Sequence, residues 1–321
     1  MMTHERRRPD EMESRFEAPE DVLTHFKRRK KKAQERLAAL EGTPELCFAL
    51  SGLVLHGGPY EFPGVATLRA VQQPPGEIEL AGALKNKGLM SAIARHMPAV
   101  THELAVLQSA LNDPQERLNM GWWIISALRC RSLADLLVPA VANVSWDAIP
   151  AVDSDSCEAQ LLEDVPAARR LGQVVVVSRD ALDWVHKHLT AWIGILERPA
   201  FRLAVDSVTT HHQQANLRMS AAALWAGFES LFGISSELRF RLAALSASFL
   251  EDRGPARLAL YRRIKALYDY RSKAVHGAAT TDALLAAHII EVRGLLSRLM
   301  CRMTEAGTLP SIDDFEERLF N

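Results

Sequence analysis

From Asp180 to Met303 the chain carries one helical pattern after another with few interruptions, and this run constrains the fold more than any other stretch. Leu182, Val185, Leu189, Trp192, Ile193 and Leu196 recur at the helical period, which puts them on one face of a helix over Asp180–Leu196. Pro199 separates that segment from Phe201–Phe232, which is long for one globular helix, so a bend near His211-His212 is expected. Gly233 ends it. Leu238–Leu250 and Ala256–Val275 follow, divided by the breaker Arg253-Gly254-Pro255. Thr281–Met303 closes the run, with Thr280 or Thr281 as N-cap ahead of Asp282. Helices joined by such short turns pack as antiparallel neighbours in an up-and-down bundle.

Ahead of the bundle the texture changes. Residues 1–20 are charged, contain proline and lack large apolar groups, so a loose segment is expected. Lys27, Arg28, Arg29, Lys30, Lys31 and Lys32 form a basic run on a candidate helix, suited either to phosphate contact or to a solvated face. No aromatic residue interleaves with them, so base stacking is not indicated. Cys47–Leu55, Val65–Val71, Ile78–Leu80 and Val174–Val177 read as short strands between Gly/Pro turns. Ser91–Leu111, kinked or divided by Pro98, and Pro114–Leu128 read as helices; Leu136–Val141 is ambiguous. The expected fold class is α+β. A basic, partly flexible arm (1–40) leads into a mixed α/β domain (41–178), an all-α bundle (179–305) and an acidic tail (306–321) that offers Phe315 and Leu319 for docking.

At 321 residues and 48% apolar content, the chain can build two ordinary cores. A formal net charge of −1 leaves any nucleic-acid affinity to local patches. Cys47, Cys130, Cys157 and Cys301 are far apart and form no Cys-x-x-Cys pair, which argues against a zinc ribbon and a secreted disulfide framework. The histidines do not group as ligands: His186 and His188 point to different helix faces, and the adjacent His211-His212 do not converge on an ion. No metal and no cofactor is expected. The start lacks an apolar leader core and no later run is long enough to span a bilayer, so a soluble cytoplasmic protein with no membrane partner is expected.

The chemistry concentrates in Tyr268-Asp269-Tyr270-Arg271-Ser272-Lys273-Ala274-Val275-His276-Gly277. An arginine five residues before a histidine pairs a fixed cation with a ring that titrates near neutral pH. Spacing alone is weak, since Arg95/His102 and Arg179/His186 are comparably spaced and two or three such matches are roughly what chance supplies. Five residues on a helix subtend about 140°, so the two side chains converge only at a frayed end or on a phosphate shared with a second copy. Without any resemblance, the pair would be favourable cations at a helix C-terminus.

This stretch resembles the signature helix of HEPN domains, especially the Apea-like branch, and Leu224-Trp225-Ala226-Gly227-Phe228-Glu229-Ser230-Leu231-Phe232-Gly233 resembles an upstream helix of that family. The resemblance covers the C-terminal part only. It implies a HEPN-like helical bundle that dimerises with its Arg/His motifs facing each other, and metal-independent endoribonuclease chemistry. Arg271 and His276 would be catalytic, with Asp269, Ser272, Lys273 and Glu229 in support. Ser272 stands where many active members carry a polar amide. RNA, such as tRNA or mRNA, would be the partner and substrate, cut to a 2′,3′-cyclic phosphate and a 5′-hydroxyl. A toxin or phage-defence effector, held in check by an antitoxin or other regulatory partner, fits that chemistry. The alternatives are a catalytically inactive HEPN module that binds RNA or nucleotide within a larger assembly, and a helical dimerisation scaffold whose specific site lies in the N-terminal region.

Overall fold

Strand β1 (Glu45–Ser51) runs through the middle of a six-stranded antiparallel sheet in the computed structural model, which describes residues 22–40, 45–108, 111, 113–164, 175–275, 277 and 279–320. The strand β2 (Leu53–Leu55) leaves this sheet. β3 (Tyr60–Phe62), β4 (Ala66–Ala70), β5 (Val100–Leu107), β6 (Ala140–Ala142) and β7 (Ala159–Leu161) complete it in the order β3-β4-β5-β1-β6-β7. β8 (Val175–Val177) pairs in parallel with β2 as a separate two-stranded ribbon.

Both faces of the sheet are covered, and the period-2 geometry of a strand divides its side chains between them. Phe48, Leu50, Leu68, Leu104 and Val106 join one apolar cluster; Cys47, Ala49, Ala105, Ala140 and Ala142 join the other. The second face is closed by Leu80 of α2 (Glu77–Ala83), Ile93 of α3 (Met90–Ala94), Met97 and Trp146, whose indole N–H donates to the Cys47 carbonyl at 3.0 Å. α1 (Val22–Leu40) lies against the tight turn Ile149–Ala151 and buries Ala33.

The first face meets α4 (Pro114–Ser132), started by the Asp113 carboxylate, which accepts from the Gln115 amide at 2.9 Å. Gly121 permits the close approach of this helix: a Cβ there would sit 2.1 Å from the Phe48 ring. α4 in turn packs on α5 (Arg179–Leu196), α6 (Pro199–Thr210) and α10 (Asp282–Ala306). α7 (Leu217–Ser230), α8 (Leu238–Leu250), α9 (Pro255–Val275) and α11 (Ile312–Phe320) complete the helical part. The architecture is α+β, an antiparallel sheet region followed by a run of helices.

Two expectations change. Ile78–Leu80 is the first turn of α2, not a strand; Glu79 reaches back to accept from the Gly76 amide at 2.7 Å, so the Pro74-Pro75-Gly76 segment launches a helix. Among the described residues of Ser91–Leu111, only α3 is α-helical. Pro98 sits in a short tight turn, and Val100–Leu107 is a central strand whose apolar residues on both faces hide the period of two. One apolar cluster includes residues from both sides of the boundary expected after residue 178, from Phe48 and Leu104 through Ile124 and Leu128 to Trp192, Phe228 and Phe315. In the acidic tail, α11 docks as expected through Phe315, which is buried between Phe232 and Phe249. The long Phe201–Phe232 segment is divided at His211–Gln213 by a 3-10 turn. Among the described residues, no helix is long and apolar enough to cross a membrane.

Candidate active site at the end of α9

On α9, Ile264, Leu267, Tyr268 and Arg271 form one stripe, spaced i, i+3, i+4, i+7, and the last two of these meet α7. The first two are buried apolar residues and the stripe ends in a guanidinium. From α7, Trp225 meets Tyr268 edge-on at a ring separation of 5.4 Å, and Glu229, one turn later, comes within 3.6 Å of Arg271 Nη2 through its Oε1. Both side chains are about four-fifths buried, at 22% and 23% exposure. Arg271 also lies 5.7 Å from the centre of the Tyr268 ring.

At 3.6 Å this is a charge contact longer than a hydrogen bond. Glu229 Oε1 and Arg271 Nε are both buried and have no hydrogen-bond partner among the described residues. Burial pushes the Glu229 carboxyl above its ordinary value, against the pull of Arg271. Burial likewise raises the Tyr268 phenol, with Glu229 adding to it. The guanidinium therefore retains donor capacity in a partly desolvated position, where an anion binds more strongly than in open water.

The end of the helix is held from two sides. Arg218 of α7 donates to the Ala274 carbonyl, and the Gly277 amide approaches the same oxygen at 3.3 Å. Gly277 adopts φ +87°, the left-handed conformation that glycine takes without strain as a helix stops. Tyr270 hydrogen-bonds Thr280 and lies 4.9 Å from the His288 ring of α10. The Trp225 indole donates to His288 Nε2 at 3.0 Å, and burial pulls that imidazole down to about 4. His288 is therefore a neutral acceptor near pH 7. Nothing in the sequence pattern connects it with the motif helix, because the contact is long-range.

The other expected site residues divide. Arg271 and Glu229 come together; Ser272 is half-buried and Lys273 exposed beside them. Asp269 does not orient Arg271. Its carboxylate receives Nε and Nη2 of Arg239, both at 2.6 Å, because it projects from α9 toward α8 rather than α7. That pairing holds the Asp269 carboxyl below its ordinary value. His276 lies outside the described residues. In the basic run, Arg29 is turned inward to the Pro74 carbonyl at 3.1 Å and Glu79 at 3.0 Å, so it anchors α1 instead of facing a phosphate. Lys27, Arg28, Lys30, Lys31 and Lys32 are exposed.

Among the described residues, no group of three or more His, Cys, Asp or Glu side chains is placed to hold a metal ion. Comparison with protein-family models, with curated proteins and with solved structures finds no match for this chain.

Proposed function

We propose that the chain is a metal-independent endoribonuclease, with Arg271 and His276 as its catalytic residues and a homodimer as its working form. The observation that carries this reading is the incompletely satisfied Arg271 guanidinium, partly desolvated at the end of α9 five residues before His276. The resemblance of this helix and of α7 to HEPN domains supports the same assignment.

In the proposed reaction, His276 takes the proton of a ribose 2′-hydroxyl, and the resulting alkoxide attacks the adjacent phosphorus. The phosphorus–O5′ bond breaks, and a second imidazole, His276 of the other copy, protonates the departing oxygen. Arg271 donates to the non-bridging oxygens, where negative charge accumulates. The products are a 2′,3′-cyclic phosphate and a 5′-hydroxyl. Glu229 keeps the guanidinium on the α7 side of α9. We further propose a cytoplasmic toxin or phage-defence effector acting on tRNA or mRNA, under control of an antitoxin or regulatory partner.

Purified protein incubated with total RNA tests this. Cleavage that survives EDTA, leaves cyclic-phosphate ends and disappears in His276→Ala is expected. Strict dependence on an added divalent ion, or full cleavage by His276→Ala, would overturn the reading. Specific RNA retention without cleavage would favour the inactive RNA-binding module.

A further inference from the structure

A second site lies away from Arg271, where the sheet region meets the helices. α4, α5, α6 and Glu163 just beyond β7 enclose a cleft of about 640 Å³, a size suited to a small molecule. Its floor is the buried pair Arg129–Glu163, closed at 2.6 Å. Arg129 Nε–H donates to the Leu136 carbonyl at 3.0 Å. Glu163 additionally accepts from the Val138 amide at 2.7 Å and from Gln213 at 3.3 Å. The floor charges are thus committed to each other and to backbone.

The walls are less committed, although Trp122 already meets the Phe48 ring edge-on at 6.1 Å and has the Arg129 guanidinium 5.8 Å from its centre. Trp122 and Trp123 are half-buried and line the cleft. The Ser126 hydroxyl is occupied, donating to the Trp123 carbonyl and accepting from Trp192. Asp206 differs from all of these. The hydrogen bonds at this residue, from Thr209 and Thr210, go to its backbone carbonyl, and its carboxylate accepts none among the described residues. Partial desolvation raises the carboxyl of this exposed residue, with Arg202 opposing.

The lining holds three carboxylates (Glu163, Glu197, Asp206) against two guanidiniums (Arg129, Arg202), a formal charge of −1. Both guanidiniums already donate through Nε to carbonyls. An anionic ligand meets net repulsion here, whereas a flat group presenting N–H donors finds an indole face and an uncommitted acceptor.

We propose that this cleft binds a small, neutral or cationic planar group whose N–H donors meet Asp206 while its face lies on Trp123. A guanidinium and the donor edge of a nucleobase share that chemistry, so agmatine and guanosine serve as probes of the two sources.

Tryptophan fluorescence of the full chain and isothermal titration calorimetry read the binding. Saturable one-to-one binding of at least one probe, tighter than about 1 mM, is expected. Asp206→Asn should weaken it at least about tenfold while leaving the urea midpoint unchanged, as an exposed helix position allows. Trp123→Leu should weaken it too, and reduce the fluorescence response. Absence of saturable binding by both probes, or unaltered affinity in Asp206→Asn, would overturn the proposal. RNA cleavage is not the readout, so this outcome is separate from the fate of the ribonuclease reading.

Discussion

Two arginine–carboxylate pairs in this chain use the same chemistry to opposite ends. Arg129 and Glu163 close at 2.6 Å with side chains 3% and 7% exposed, and further hydrogen bonds tie both into the backbone around Leu136 and Val138. Arg271 and Glu229 stand at 3.6 Å, with side chains 22% and 23% exposed, and each has a buried polar atom that is not hydrogen-bonded among the described residues. A buried pair persists when its geometry and extra hydrogen bonds offset desolvation. A pair short of hydrogen bonds has capacity left for something else. The difference separates an arginine committed to the fold from one that keeps donor capacity, as the proposed phosphate role requires.

The largest effect that can break this contrast is expected at the tight pair. Glu163→Ala leaves Arg129 buried and uncompensated, and a loss of about 3–5 kcal/mol in unfolding free energy is predicted from urea titration. A loss below about 1 kcal/mol would remove the distinction. The same region should be acid-sensitive. Burial holds His211 down to about 4 and His212 down to about 3, with Arg293 lowering the first and Arg129 the second. Their folded values lie below the unfolded value, so the unfolded state binds more protons as pH falls below about 6.5. Stability is therefore full above that pH and declines as pH falls toward 4. About 2–4 kcal/mol should be lost between pH 7 and pH 5, read as a lower urea midpoint. A midpoint unchanged over that range would show that these imidazoles are not held neutral.

Smaller effects are expected at the loose pair. Glu229→Gln should cost no more than about 1 kcal/mol, since the contact is partly solvated and not a formed hydrogen bond. Its consequence should appear in RNA cleavage instead, with a reduction of about tenfold as Arg271 loses its orienting charge. The smallest effect belongs to Asp269→Asn. Its partner is exposed Arg239, so stability should stay within error and cleavage within about twofold of the parent. A large loss of cleavage there would restore Asp269 to the site.

The helical half was legible in the sequence because its faces are one-sided: Leu182 to Leu196 sit on the helical period, and Pro199, Gly254-Pro255 and Thr281 mark ends that the structure places within a residue or two. The sheet was less legible because both of its faces are buried. Thr101 to Val106 show no clean alternation, and Pro98 resembles a helix kink as readily as the turn into a strand. The shared core was illegible for another reason. Nothing local says that Phe48 will rest on Gly121, or that α4 will join the sheet to α10. At the candidate site, Arg271 and Glu229 each stood out as polar residues on apolar helix faces. The Asp269–Arg239 pair and the closed Arg129–Glu163 floor depend on contacts between distant segments.

The most direct test of the central claim is EDTA-resistant RNA cleavage by Arg271→Ala, measured beside its urea midpoint. A loss of at least about 100-fold in cleavage, with the midpoint close to that of the parent, is the predicted result. Cleavage within a few-fold of the parent, or a loss that merely follows unfolding, would contradict the assignment of this arginine to the phosphate.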